Sequence, residues 1–389
     1  MSGKRPRRCF PSIVSTTDVA RATVARIDTQ ALRANAALVR ARAPAAKVLA
    51  CVKADAYGHG LITAAKALSG TVEGFAVACI EEALELRAAG LAEPVLLLEG
   101  PHTPAEVREA FAEKFVLCLC DERQLEWFIR APENERPERW LKVDTGMHRL
   151  GFAPEAVEPS VERLRTLGAP PEVLCTHFAS ADAPDSTTTD HQLETFDAAV
   201  AGLPAAHSCA NSAAILAHPR SHRDWVRPGY MLYGGNPFMG KGSGARPPIQ
   251  DNETLHHAHK LRPAMEFSAE IIALREIEAG ESVGYGGRWR AERRSRIATI
   301  AAGYGDGYPR DAPDGTPVRI GALRSPLAGR VSMDMITVDV TANPDAHLGA
   351  KAVLWGADPG VDEVAHAAGT IGYELLAGMP KRVRREVIA

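Results

Sequence analysis

From about residue 47 onward, short apolar runs alternate with longer stretches of helical periodicity. The runs are VLACVK (48–53), FAVACI (75–80), VLLLE (95–99), FVLCLC (115–120), WLKVD (140–144), VLCTHF (173–178), AHSCA (206–210) and VRPGYMLYG (226–234). Between most of them lie Ala-, Leu- and Glu-rich segments such as EEALELRAAG and AVEPSVERLRTLG. Near-continuous apolar strands separated by amphipathic helices indicate a parallel sheet buried on both faces. Eight such units in roughly 200 residues are the count of an α/β fold of the (β/α)8 TIM-type barrel kind. A doubly wound open sheet is the alternative. It normally shows fewer strands, and no GxGxxG turn follows the first run.

The pattern changes after Gly234. GKGSGARPPIQDNETLHHAHKLRP reads as a linker, and His256, His257 and His259 within it lack acidic or cysteine neighbours, so no metal is expected there or elsewhere. Beyond Pro263 the segments shorten and Gly and Pro become dense, as in EFSAEIIALREI, RIATIAAGYGDGY, TPVRIG, SPLAGRV and MITVDVT. That is the signature of a mostly β domain. The expected organisation is an extension without fixed structure over 1–22, the barrel over 23–258 and the β domain over 259–389. TVARID, near residues 24–28, is a candidate to join the second domain.

Composition narrows the function. The chain has 389 residues, 46% of them apolar and 24% charged, which is ordinary for a well-cored protein. A formal charge of −3 gives no reason to expect nucleic acid or an anionic membrane as partner, and no apolar run approaches bilayer length. The seven cysteines (Cys9, Cys51, Cys79, Cys118, Cys120, Cys175 and Cys209) are odd in number and form no CxxC pair. They read as reduced thiols of a cytoplasmic protein. The basic cluster Lys4, Arg5, Arg7 and Arg8 is followed by Pro11 and a polar run, which does not make a secretory signal.

In a barrel of this kind chemistry sits at the C-terminal ends of the strands. The polar residues there are Lys53, Lys142, Asp144, His177, Asn211, Ser212 and Arg227. A lysine ending a buried strand is unusual, since Lys is seldom buried without a partner. A desolvated amine can form a Schiff base with an aldehyde. A solvated structural lysine is the competing reading.

VKADAYGHG (52–60) closely resembles the cofactor-lysine motif of the alanine racemases. LKVDTGMHRLGF (141–152), THFASAD (176–182), ANSAA (210–214), RPGYMLYG (227–234), VGYGGRW (283–289), AGYGDGYPR (302–310), GRVSMDM (329–335) and IGYELL (371–376) follow in that family's order. Nine collinear motifs cover the chain from about residue 24 to its end.

The resemblance implies a pyridoxal 5′-phosphate enzyme interconverting L- and D-alanine, serving cell-wall precursors or alanine catabolism. Lys53 would bind the cofactor and act on one face of the substrate α-carbon, with Tyr285 from a partner subunit on the other. Tyr57, Ser212 and Tyr373, with backbone amides around Gly229 and Tyr230, would hold the phosphate, and Asn211 belongs with them. His177 and Arg227 would tune the site. An arginine cannot accept a proton, so a pyridine nitrogen facing Arg227 would stay unprotonated, which favours racemisation over transamination. Arg149 would take the substrate carboxylate, supported by Lys142 (carbamylated in many members) and by the amide of Met333 across a homodimer. Asp334 matches a nearby family position. Tyr304, Arg310 and Asp182 match positions lining the entrance corridor. The rivals are a racemase of broader range for small or basic amino acids, a barrel-fold decarboxylase of basic amino acids and a non-catalytic carrier of the cofactor.

Overall fold

The computed structural model describes residues 21–183, 186–239, 257–258 and 260–389. The basic N-terminal cluster, Cys9, His256, His259 and most of the linker lie outside the described residues. The eight apolar runs all form parallel strands: β2 (Lys47–Cys51), β3 (Gly74–Val77), β4 (Val95–Leu97), β5 (Phe115–Leu119), β6 (Arg139–Lys142), β7 (Val173–Cys175), β8 (Ala206–Ser208) and β9 (Trp225–Val226). They close into a barrel in chain order, with β9 pairing back onto β2.

Alternation along these strands separates two sets of side chains. Val48 and Ala50, Phe75 and Val77, Phe115 and Leu117 face the surrounding helices in one large core. Leu49, Cys51, Ala76, Val116, Cys118, Trp140 and Cys175 form a second cluster inside the barrel. Burial on both faces explains why the strands read as continuous apolar runs instead of alternating ones. Two of the surrounding helices start on aspartate side-chain caps: Asp28 accepts from the Ala31 amide and Asp121 from the Gln124 amide.

Each apolar run continues past the strand it forms, and two of these overruns bear on the site. VRPGYMLYG pairs only at Trp225–Val226, because Pro228 cannot donate to a ladder, and the chain then turns through a short helical segment at Tyr230–Tyr233. VLACVK stops at Cys51, which leaves Lys53 beyond the strand end.

The second sheet contains β10 (Met265–Ile277), β13 (Ser295–Ile300), β14 (Pro317–Ile320), β15 (Leu323–Pro326), β16 (Ile336–Asp339), β17 (Lys351–Trp355) and β18 (Arg384–Ile388). TVARID forms β1 (Val24–Asp28), which lies between β10 (antiparallel) and β18 (parallel). The chain therefore starts in this sheet, passes through the barrel and returns to it. A small hairpin of β11 (Ser282–Val283) and β12 (Trp289–Arg290) stands apart from it. Helices Val361–Ala367 and Gly372–Ala377, which no periodicity had marked, fill the junction with the barrel.

Candidate active site

A cavity of about 640 Å³ opens at the C-terminal end of the barrel, a volume suited to a cofactor-sized ligand. Lys53, Lys142, Arg149 and Arg227 line it, with Glu99 as the carboxylate among them. Such a lining calls for an anionic ligand. Tyr57, His177, Asn211, Ser212, Gly229, Tyr230 and Tyr373 complete much of the wall. Eleven of the residues singled out by sequence thus converge in one space, although they come from five of the eight strand ends and from the helix at 372–377.

Arg227 is buried and fixed by backbone and side chain together. Its Nη1 donates to Ser208 Oγ at 2.6 Å, its Nη2 donates to the Thr176 carbonyl, and Nη2 lies 3.5 Å from His177 Nδ1. Burial, reinforced by the charges of Arg227, Lys142, Arg149 and Lys53, holds the His177 pKa well below its ordinary value. His177 is therefore neutral. Gln192 fixes the backbone beside it, its Nε2 donating to the His177 carbonyl (3.3 Å) and its Oε1 accepting from the Ala179 amide (2.9 Å).

The opposite wall supplies hydroxyls. Ser212 Oγ accepts from the amides of Gly229 (2.9 Å) and Met231 (3.3 Å), which leaves its own hydrogen to donate. A Cβ on residue 229 would sit 2.5 Å from Tyr57 Oη, so only glycine lets that hydroxyl reach this point. Tyr57 stacks on Tyr233 at 4.8 Å, and Tyr230 stacks on Tyr373 at 3.7 Å. Burial, with lesser contributions from nearby negative groups, pushes both the Tyr57 and Tyr373 phenols up, so both are donors at neutral pH. Asn211 acts locally, its Oδ1 accepting from the Ala214 amide at the start of helix Ser212–Ala217.

Other positions do structural work around the cavity. Asp362, buried, accepts from Tyr230 Oη at 2.6 Å and from the Asn236 amide at 2.9 Å, tying the second domain to the cavity wall. Asp144 Oδ1 accepts from the amides of Gly146, Met147 and His148, closing the turn that leads to Arg149. Three thiols line the floor. The Sγ atoms of Cys118 and Cys175 are 3.7 Å apart, too far for a disulfide. Burial raises the Cys51 pKa, and hydrogen bonding among the thiols with burial raises those of Cys118 and Cys175, so none competes with Lys53 as a nucleophile.

Tyr285, Met333, Tyr304 and Arg310 do not join this cavity. Tyr285 is 68% exposed and Met333 is 54% exposed. Tyr285 stands at the tip of the β11–β12 hairpin. Arg310 lies 6.0 Å over the Tyr304 ring. Asp182, by contrast, lies on the barrel side, where its charge acts on Tyr373. The loops bearing Tyr304 and Met333 are joined by backbone bonds, Tyr304 N to Ser332 O (3.0 Å) and Gly305 N to Met333 O (2.8 Å).

Behind those loops the Asp306 carboxylate is fully buried. It accepts from Arg21 at 2.6 and 2.8 Å, from Arg382 at 2.7 Å and from the Gly303 amide at 2.9 Å. Burial works to raise its pKa, but the hydrogen bonds from Arg382 and Arg21 outweigh that, and the net shift is downward. Arg382 also reaches Asp334 Oδ1 at 2.7 Å. Contacts at such sequence separation leave no local signal.

Comparisons with known proteins agree with this geometry. The sequence profile of the alanine racemase N-terminal domain matches residues 27–237 and that of the C-terminal domain matches 264–387. The alanine racemase of Chromohalobacter salexigens is 46% identical over 369 residues, 94% of this chain and 98% of the relative. The crystal structure of biosynthetic alanine racemase from Pseudomonas aeruginosa superposes with a TM-score of 0.88 at 45% identity, covering 95% of this chain and 100% of that one. The alanine racemase structure from Bartonella henselae, with covalently bound pyridoxal phosphate, superposes with a TM-score of 0.83 at 29% identity, covering 94% of this chain and 99% of that one. Full-length matches of this kind, on a barrel whose mouth gathers two lysines, two arginines and a set of phenols, establish that the chain belongs to the alanine racemase family.

Proposed function

We propose that the protein interconverts L- and D-alanine, using pyridoxal 5′-phosphate bound through Lys53, in a homodimer whose two sites each borrow residues from the partner. The carrying observation is the cavity itself: Lys53 opens into a space with the guanidinium groups of Arg149 and Arg227 and a hydroxyl-rich wall. That donor set fits the cofactor. Ser212, Tyr57 and Tyr373, with the amide of Tyr230, suit a dianionic phosphate, the Gly229 amide being taken by Ser212 Oγ, and Arg227 suits the pyridine nitrogen. Asn211 shapes the phosphate end by capping its helix.

When bound, the cofactor withdraws electrons from the substrate α-carbon and so makes its hydrogen removable. The protein's residues decide where that proton goes. Lys53 Nζ takes or returns it on one face, and the Tyr285 phenol of the partner does so on the other. Arg227 has donors only, so it gives no proton-accepting partner to the ring nitrogen, and charge stays at the α-carbon, where reprotonation completes racemisation. A neutral His177 beside Arg227 adds no further positive charge to the cavity. Arg149 offers a planar fork to the substrate carboxylate, with carbamylated Lys142 as its support and the Met333 amide approaching from the partner.

The exposure of Tyr285 and Met333 supports the dimer, since an isologous pairing completes two sites at once. Tyr304 and Arg310 from one subunit and Asp182 from the other would line the entrance. The described cysteines are all free, which supports a reducing compartment such as the cytoplasm. No described helix is long and apolar enough to cross a membrane.

The test is to incubate the purified protein separately with L-alanine, L-serine and L-lysine and to resolve the enantiomers. Alanine should racemise fastest. Comparable turnover of lysine would assign a broader racemase, and no turnover of any would defeat the proposal.

A further inference from the structure

Directly after Lys53 the backbone adopts a conformation its residues disfavour. Ala54, Asp55, Ala56 and Tyr57 have φ of 55, 53, 53 and 51°, and Gly58 continues at 75°. L-residues visit this left-handed region singly, so four in a row persist only where the surroundings hold them.

Three holds are visible. Glu82 Oε1 accepts from the Ala54 amide at 2.6 Å while its Oε2 accepts from the Ala78 amide at 2.9 Å. His59, fully buried, places Nδ1 2.8 Å from the Tyr57 carbonyl and 3.2 Å from that of Ala56. Both partners are acceptors, so Nδ1 carries the hydrogen. The third hold comes from the far end of the chain. Arg385, in β18, donates through Nε to the Gly58 carbonyl (2.9 Å) and through Nη2 to Asp55 Oδ2 (3.0 Å) and the Met379 carbonyl (3.1 Å). The other Asp55 oxygen accepts from the Leu61 amide at 2.8 Å.

Glu82 and His59 belong to the barrel, as the turn does. Arg385 does not: it binds the turn from the second sheet, with a rigid fork that meets three acceptors at once. A lysine there would be a single point of attachment. We infer that Arg385 is a positioning residue for Lys53, clamping the strained turn so that the terminal strand of the second sheet fixes where the lysine amine meets the cavity. This rests on the reading that Lys53 carries the cofactor.

The experiment compares holoenzyme of the wild type, Arg385→Lys, Arg385→Ala and the double variant Arg385→Ala with Ala54→Gly, all at saturating pyridoxal 5′-phosphate. Borohydride reduction with peptide mapping locates the cofactor, visible circular dichroism reports its orientation, and thermal unfolding reports the fold. Arg385→Ala is expected to keep the label on Lys53, weaken the visible dichroism and lower kcat by about tenfold or more, since small misplacements of a reacting group are costly. Arg385→Lys should fall between it and the wild type. Ala54→Gly should restore much of the loss, because glycine bears the left-handed conformation without a clamp. Unchanged kcat and dichroism in Arg385→Ala, a fall in thermal midpoint alone, or failure of the glycine to rescue would each overturn the inference. Absence of label on Lys53 in the wild type would instead bring down the functional reading on which it stands.

Discussion

Lys53, Arg227 and His177 lie in a cavity whose groups already answer one another, whereas Tyr285, Met333 and Tyr304 stand on loops that point outward. On the barrel side, Arg227 is held by Ser208 and Thr176, and Ser212 by two amides. On the other side, the presented side chains are exposed while the groups behind them are not: Asp306, with its three donors, is fully buried. On the proposed reading, only the first region is complete within a single chain. The cavity that suits a charged ligand is formed by one chain, and the proposal assigns the second proton carrier to the exposed face of another.

The largest effect should come from the finished half. Lys53→Ala removes the amine and should abolish both the visible absorbance of bound cofactor and racemisation in either direction. Retention of turnover would remove the basis of the comparison. Tyr285→Phe deletes one hydroxyl from the other half. It should leave cofactor absorbance intact while exchange of the α-hydrogen with solvent deuterium survives from one alanine enantiomer and collapses from the other. Equal exchange from both would show that Tyr285 is not the second carrier.

The same division governs what could be read from sequence. The barrel was legible because burial on both faces turns each strand into a continuous apolar run, and strand ends then select Lys53, His177 and Arg227. The resemblance added Tyr285 and Met333, which carry no strand-end signal. The braces were not legible. Asp306 meets Arg21 and Arg382 across 285 and 76 residues, and nothing local marks a buried carboxylate in GYGDGY. The left-handed turn was hidden for a different reason: Ala, Asp, Ala and Tyr suit an ordinary helix, and its opposite hand is imposed by Glu82, His59 and Arg385. Helix Gly372–Ala377 was also missed as an element, since six residues give too short a period to register.

Asp306→Asn separates the halves more gently. The amide keeps the shape but cannot match a carboxylate facing two guanidinium groups. The Met333–Tyr304 loops should loosen and dimer dissociation and KM for alanine should each rise about tenfold, equivalent to ~1.4 kcal/mol. Cofactor absorbance per chain should not move. Sedimentation at graded concentrations, with absorbance read alongside, measures both, and a drop in bound cofactor at unchanged dimer affinity would tie Asp306 to the wrong half.

The smallest effect concerns pH. Burial is the largest cause holding the pKa values of His177, His207, His218 and His222 below normal, and it lowers that of His59 to about 4. An unfolded histidine titrates near ~6.5, so below that pH the unfolded chain binds more protons than the folded one. Stability from these groups is therefore fully present above ~6.5 and declines as the pH falls toward the folded values. Asp306 acts in the same direction at lower pH, because its depressed pKa makes its contribution fade only as acid nears the carboxylate range. All five histidines belong to the barrel domain. Denaturant midpoints at pH 7.5, 6 and 5 should therefore fall stepwise. His59→Asn, which can still donate to the Tyr57 carbonyl but takes up no proton, should shallow the slope between pH 6 and 5, whereas Asp306→Asn should leave that interval unchanged. A midpoint that rises on acidification would mean that the buried histidines are charged in the folded protein and that the cavity is less cationic than its lining indicates.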